Sequence, residues 1–529
     1  MNSFNTLSFE KVSRGAIQVT LKGYLGKGDK NSLAGLVDDL NPEMLKEKLC
    51  SLFGNYAISV ENDSSLLLVA DRVRSFPLYF FNTKDGLAHA FSQKELSTGC
   101  EGDFDLKQTK LFAMSAYTLG NKTLLKNISS LCAGEYLLHD KKSGETIVEK
   151  YYEYLPKIDD MKGDRAFWMK EAAQVTMNVM KDMVRTAQGR EIVVPLSAGN
   201  DSRLVVSALK ELGYQNVKTF SYGLKGNFES EFAEKIAKKL GYPYKFFELT
   251  NRLQREFFKS SLHEEYIDFS TDYIAVPFEQ DVSIIDQIKQ SGWVTEDAIF
   301  VNGNSGDYIS GAHIPAKINQ YTDRREVQEY YFQKHFSLWE RLKTGENKKV
   351  VFEYLDQSLS KKKEQYIQDI DLWEEYELLN RQTKYVINGQ RSYEFFGYDW
   401  RLPLWHEDYL EFWRQVPKEF KIGQLLYKEM LLEQNWGGVW KHLPVNDKKI
   451  TPSWIRPLRL LVKPFFIFSR ESWHRFEKRF FLYWMDIICS NAIVSYWEVI
   501  TNKNGARHGL SWYTMKALER MGLGYNGKK

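Results

Sequence analysis

Hydrophobic periodicity changes repeatedly between residues 192 and 249. Ile192-Val193-Val194 is a short unbroken apolar run, the pattern of a strand buried on both faces. Small and polar residues follow from Pro195 to Ser202. Leu204-Val205-Val206-Ser207-Ala208-Leu209-Lys210 then predicts an amphipathic helix. Val217 to Gly223 predicts a second strand. Glu229, Ala233, Ile236, Ala237 and Leu240 mark a second helix with a Gly241 stop, and Tyr244 to Leu249 predicts a third strand. This alternation predicts a doubly wound parallel sheet, whose ligands sit at the strand C-termini. Ser197 and Ser221 both fall there. Further on, Phe300-Val301 runs into a small-residue loop that holds one acid, Asp307.

The first part of the chain reads differently. Residues 16–25, 56–60, 66–70 and 77–81 are short β-rich runs separated by turns. At 529 residues the chain should split into two or more domains. A formal net charge of +3 gives no general case for nucleic acid. Cys50, Cys100, Cys132 and Cys489 form no disulfide or zinc pattern and read as packing residues. Met1 to Ser13 lacks the apolar core of a signal peptide, so the expected location is cytoplasmic. The 14 Trp point first to core packing and second to sugar-facing surface. Between Trp454 and Trp484, basic residues mix with Leu, Phe and Trp. The run Leu458 to Phe468 is too short and too charged to span a bilayer. The expectation is helices that close over the core, with a peripheral contact to anionic lipid as the alternative.

The stretch Leu196-Ser197-Ala198-Gly199-Asn200-Asp201-Ser202 carries the chemistry. It sits where a helix N-terminus presents free N–H groups, which favour phosphate. Asp201 can hold a hard cation that bridges phosphate oxygens. The spacing is not that of a Walker loop. It resembles the PP-loop of the ATP pyrophosphatases, Ser-Gly-Gly-x-Asp-Ser, with Ala198 departing from the first Gly. Phe220-Ser221-Tyr222-Gly223 looks like the adenine-holding strand end of the asparagine synthetase branch of that family. The resemblance implies ATP contacts from Leu196, Ser197, Gly199, Asp201, Ser202, Ser221, Gly223 and Gly303. Glu229 reads equally as a solvated first-turn acid or as a catalytic residue.

Asn302-Gly303-Asn304-Ser305-Gly306-Asp307-Tyr308 resembles the family's second loop, with Gly303, Asp307 and Gly311 in register. It implies Asp307 as a second Mg²⁺ carboxylate opposite Asp201. The family's proposed base, a Glu, is Asn304 here, and its second acid is Tyr308. Asn304 can hydrogen-bond a substrate but cannot take a proton. Asp399-Trp400-Arg401-Leu402-Pro403-Leu404-Trp405-His406 looks like a further family segment, with His406 structural. By register, Lys428 is the lysine that steadies negative charge on the adenylate, and Lys421 is a weaker candidate. Residues 50–137 resemble the glutaminase half of asparagine synthetase, an N-terminal-nucleophile (Ntn) sandwich. Such a glutaminase attacks with an N-terminal cysteine, whereas this chain starts Met1-Asn2-Ser3.

The expected fold is therefore α/β. A β-rich Ntn-hydrolase-like sandwich over 1–155 precedes a PP-loop synthetase domain over 160–450 and a helical extension over 451–529. The expected function is ATP-dependent amide formation through an acyl-adenylate, with ATP and Mg²⁺ as cofactors. The carboxylate is a small molecule, with the uronic acid of a surface polysaccharide as the first candidate. Ammonia or an amine is the nitrogen donor, and a separate glutaminase and a homodimer are the partners to test. A ring-closing amide synthetase and a non-catalytic scaffold are the alternatives.

Overall fold

The computed structural model describes residues 8–27, 33–37, 41–84, 86–96, 103–155, 163–318, 323–357, 369–441, 443 and 449–524. The readings on Met1 to Ser3, on most of the absent signal peptide and on Cys100 lie outside these residues.

The N-terminal strands form two antiparallel sheets. The larger has the order β1 (Ser8–Arg14), β2 (Ile17–Lys27), β3 (Phe53–Glu61), β4 (Ser65–Ala70), β8 (Glu135–Asp140), β9 (Thr146–Lys150). The smaller pairs β5 (Tyr79–Thr83) with β6 (Gly86–Ala90) on one side and with β7 (Ser129–Ser130) on the other. The four β-rich runs read from the sequence fall on β2, β3, β4 and β5.

The second region is built on a five-stranded sheet in the order β12 (Tyr244–Glu248), β11 (Val217–Gly223), β10 (Ile192–Pro195), β13 (Ile299–Val301), β14 (Asp399–Arg401). Every neighbouring pair is parallel. The first three strands in sequence grow in one direction and the next two return to the other side of β10. That reversal leaves a crevice beyond the C-terminal ends of β10 and β13. The apolar run explains the central position. Ile192, Val193 and Val194 are all fully buried, as a strand covered on both faces requires.

Helices α1 (Arg165–Ala187), α2 (Asp201–Glu211), α3 (Phe228–Leu240) and α4 (Val282–Gln290) flank this sheet. Helix α2 buries Leu204, Val205, Val206, Ala208 and Leu209. Helix α3 ends at Gly241, whose φ of 75° is the left-handed cap expected of a glycine stop. One continuous core joins residues of β2 to β4 with those of β10, β11 and β13. A second core packs residues 111–124 against 327–355, 372–376 and 512–523. The three expected domains therefore share their interiors.

The C-terminal region is helical but does not all close over the core. Trp473, Tyr483, Cys489, Ala492, Trp512 and Leu518 are buried. By contrast Leu460, Leu461, Phe465 and Phe468 are 72%, 70%, 85% and 100% exposed. The expectation of closure holds for the later helices and fails for the apolar run. Among the described residues no helix is long and apolar enough to cross a membrane.

Candidate active site

A cavity of about 370 Å³ opens at the C-terminal ends of β10, β11 and β13. Its walls include Leu196, Ser197, Gly199, Asp201, Ser202, Ser221, Glu229, Gly303, Asn304 and Asp307, so the structure brings together ten of the residues singled out in the sequence.

The loop between β10 and α2 is held by its own serines. Ser202 Oγ accepts from the Ser197 N–H at 3.0 Å and lies 3.2 Å from Ser197 Oγ. Ser197 Oγ accepts from the Gly199 N–H at 3.2 Å. The N-cap residue, Asn200, makes no side-chain bond to the first turn of α2. The ordinary capped helix start is therefore not built here, and the turn faces the cavity without its usual acceptor. Arg203, fully buried, donates to Ala198 O at 3.1 Å and to Leu443 O at 2.9 Å, and so ties the back of the loop to the following chain.

The second loop packs directly on this one. The Asp307 N–H donates to Asp201 Oδ2 at 3.0 Å, and Tyr427 OH donates to Asp201 Oδ1 at 2.9 Å. Two glycines permit the approach. A Cβ on Gly303 would lie 2.5 Å from the backbone carbon of Asp201, and one on Gly306 would lie 2.7 Å from Asp201 Oδ1. Gly303→Ala is therefore expected to destabilise the fold by about 2 kcal/mol, because the clash is with backbone that cannot swing aside. Thermal unfolding checks this, and an unchanged melting temperature would show the loops to be less tightly docked.

Burial, followed by the charge of Asp307, pushes the Asp201 carboxyl up to about 7. Asp307 moves the other way. Burial opposes its ionisation, but the hydrogen bond and charge of His313 hold it below the usual carboxylate range. His313 Nε2 lies 3.0 Å from Asp307 Oδ2, and Nδ1 bonds to the fully buried Glu377. Against its own burial, these two carboxylates push His313 up to about 9, so it is an imidazolium at neutral pH. Glu377 closes a helix that continues as a π-helical segment, Leu378–Tyr385. From that segment Gln382 Oε1 accepts from Ser305 Oγ at 2.7 Å. Irregular helix of this kind often marks a functional site.

No Lys or Arg lines the cavity among the described residues. Phosphate charge there would meet only N–H groups and a cation brought with it. Nor do the described residues hold a cluster of three or more His, Cys, Asp or Glu side chains suited to a metal. Asp201 and Asp307 fit Mg²⁺ in the manner it prefers, with one or two carboxylates and the remaining positions taken by phosphate oxygens and water.

Three readings from the sequence, on Lys428, Gly223 and Lys421, need correction. Lys428 is exposed, donates to Gly423 O at 2.8 Å and does not line the cavity, because Tyr427 takes the inward direction beside it. Gly223 also lies off the cavity wall. A Cβ there would stand 2.7 Å from Ile487 O, so it serves the packing of the C-terminal region against β11. Tyr308 is buried, donates to Glu374 O at 2.8 Å and has its hydroxyl pushed far up by burial, which leaves it no acid–base role. Lys421 is buried in an ion pair with Glu374 at 2.6 Å and is structural. His406 is structural too, accepting from the Asp408 N–H at the start of a helix. Burial pushes the thiols of Cys132 and Cys489 up to about 12, so neither is a nucleophile.

Sequence reading missed Asp281, which lines the cavity beside Tyr222 and Tyr393. Its Oδ1 is buried without a hydrogen-bond partner, and burial pushes its carboxyl up to about 6 against the hydroxyls of Ser392 and Tyr393. The sequence carried no signal for it beyond an acid ahead of an amphipathic helix. His313, Glu377 and Tyr427 were likewise without an assigned role.

Comparison with known families places this geometry in context. Residues 179–266 match the model of the asparagine synthase family. The match runs from within α1 through the serine loop, α2, β11, α3 and β12. Comparison with curated proteins finds no match. Solved structures that align include an allosteric regulatory enzyme of purine biosynthesis, at 12% identity over 46% of this chain and 63% of that one, with a TM-score of 0.19. Another is the glutamine phosphoribosylpyrophosphate amidotransferase from B. subtilis, at 12% identity over 56% of this chain and 64% of that one, with a TM-score of 0.18. A third is the NH3-dependent NAD synthetase from Campylobacter jejuni, at 14% identity over 43% of this chain and 97% of that one, with a TM-score of 0.21. The chain spans less than two thirds of the length of the first two. Similarity at this level does not establish a common fold.

Proposed function

We propose that the chain is an ATP-dependent amide-forming synthetase that activates a carboxylate as its adenylate. The observation that carries this reading is the juxtaposition, in one cavity, of the uncapped first turn of α2 with the carboxylates of Asp201 and Asp307. The family match over residues 179–266 supports the same chemistry for that segment.

In this proposal the triphosphate lies against the Ser197–Ser202 loop, and adenine is held by the ends of β10 and β11 near Leu196 and Ser221. Asp201 and Asp307 would hold Mg²⁺, which would neutralise phosphate charge that no described lysine or arginine of the cavity meets. The imidazolium of His313 fixes the Asp307 carboxylate from behind and keeps it ionised. The substrate carboxylate oxygen bonds to the α-phosphorus as pyrophosphate leaves. An amine nitrogen then bonds to the acyl carbon, AMP departs, and the amine proton passes to a base. Asn304 can position the acyl group, and Asp281 is the carboxylate best suited to take the proton, with Glu229 as the alternative.

Two features extend the proposal. The N-terminal sheets would correspond to an Ntn-type glutaminase half, and none of their described residues lines the cavity. Ammonia or an amine would then come from solution, from a partner glutaminase or from the substrate, and a sugar uronic acid is the first acceptor to try. The test is pyrophosphate and AMP release from ATP and Mg²⁺ across a panel of carboxylates, with ammonia supplied. Release that depends on one carboxylate is the expected result. Formation of ADP and phosphate instead would overturn the adenylate, and no turnover of ATP with any carboxylate would overturn the synthetase.

A further inference from the structure

The hairpin from Trp454 to Phe480 carries an apolar surface that the other described residues leave uncovered. Residues Ile455–Val462 form a helix, Lys463–Phe466 a tight turn of helix, and Arg470–Phe480 the returning helix. Leu460 is 72% exposed, Leu461 70%, Phe465 85%, Ile467 75% and Phe468 100%.

The hairpin is held in shape rather than loosely packed. Phe466 points inward, with its ring 5.8 Å from that of Trp473 and 4.9 Å from that of Phe476. Arg459 forms an ion pair with Glu477 across the two helices. A ladder of aromatic rings then runs from Trp454 to Trp484 at 6.1 Å, from Trp484 to Tyr496 at 5.4 Å, and on to Trp497 at 6.1 Å. Trp454 and Trp497 at its ends are 50% and 70% exposed. Amphipathic rings of this kind favour the boundary between water and hydrocarbon.

Charge identifies the occupant. Residues 454–479 hold seven Lys and Arg against two Glu, although the whole chain carries a net charge of only +3. Arg456, Lys463, Arg470 and Arg475 are exposed in the same segment. An exposed apolar segment interspersed with exposed cations suits an anionic bilayer surface, where tails receive the apolar side chains and headgroups receive the charges. We propose that this hairpin seats the protein on anionic lipid without crossing it. The inference does not rest on the reaction proposed above.

The full chain should therefore sediment with vesicles of phosphatidylcholine and phosphatidylglycerol in equal parts, and much less with phosphatidylcholine alone. Leu460→Ser, Phe465→Ser and Phe468→Ser combined should lower the partition coefficient by about a hundredfold, with the melting temperature unchanged because these side chains are exposed. Lys463→Glu with Arg470→Glu should lower it at least tenfold at low salt and less at high salt. This second variant leaves the apolar side chains intact and carries the test should the first misfold. Equal binding to both vesicle types would overturn the proposal, as would undiminished binding by either variant. So would a dimer that the apolar substitutions dissolve in a protein that ignores vesicles.

Discussion

Asp201→Asn and Asp307→Asn should each lower carboxylate-dependent pyrophosphate release by about a thousandfold, while the protein stays folded. Each substitution removes a charge that holds Mg²⁺ against the triphosphate, and a loss of roughly 4 kcal/mol in the transition state corresponds to that factor. The surroundings favour a clean result. Asp201 is a carboxylate whose ionisation is already opposed by burial and by its neighbour's charge, so a neutral amide of the same shape fits the site. The Asn carbonyl can still accept from Tyr427 or from the Asp307 N–H. The melting temperature is therefore expected to fall by no more than a few degrees. Asp307 faces the cavity with half of its side chain exposed, and its loss leaves His313 bonded to Glu377. Wild-type rates in both variants would remove the pair from the metal site and the proposed reaction with it.

A second large effect is expected at Asp281. Asp281→Asn should slow amide formation about a hundredfold, the usual worth of a positioned base, and leave pyrophosphate exchange untouched. Its carboxyl is pushed up to about 6, so it is mostly ionised at neutral pH and protonated below that value. In the wild type, amide transfer should fall as pH drops through about 6 while exchange holds. Stability should run the opposite way. An acid whose folded pKa exceeds its unfolded one binds its proton more tightly when folded. Its contribution is therefore fully present below the unfolded value and lost as pH rises through about 6. At pH 7 the Asn variant escapes that cost, on the order of 3 kcal/mol, and should melt higher than the wild type. A variant that forms amide at the wild-type rate would pass the role to Glu229. One that loses exchange and transfer together would show Asp281 to be a structural group.

Much of the parallel-sheet region was legible because its signals are local. An apolar run, a glycine stop and two changes of period specify β10 to β12 and the helices between them, and each depends on residues a few positions apart. The serine loop was legible for the same reason, since Ser197 and Ser202 brace each other within one turn. Gly303 could be named from its register, and the structure supplies the reason in its contact with the Asp201 backbone.

Direction and distance were not legible. Helix 425–434 carries apolar residues on all sides, so no periodicity told which neighbour faces inward, and Tyr427 rather than Lys428 reaches Asp201. His313 meets Glu377 across 64 positions, and its pKa is raised because the fold sets it between two carboxylates that outweigh its own burial. Asp281 is ordinary as a sequence feature, and its carboxyl is pushed up to about 6 only where the fold denies it water. The same holds for the apolar run at 458–468. Composition alone could not say whether it closes a core or stands in solvent, and the decision rests on whether other elements reach it. The sequence by itself determined the parallel α/β unit and the serine turn between β10 and α2, because short-range periodicity and backbone sterics suffice for both. Only the tertiary structure decided which charges share the cavity and which apolar face remains open, because burial and approach are properties of the packed chain.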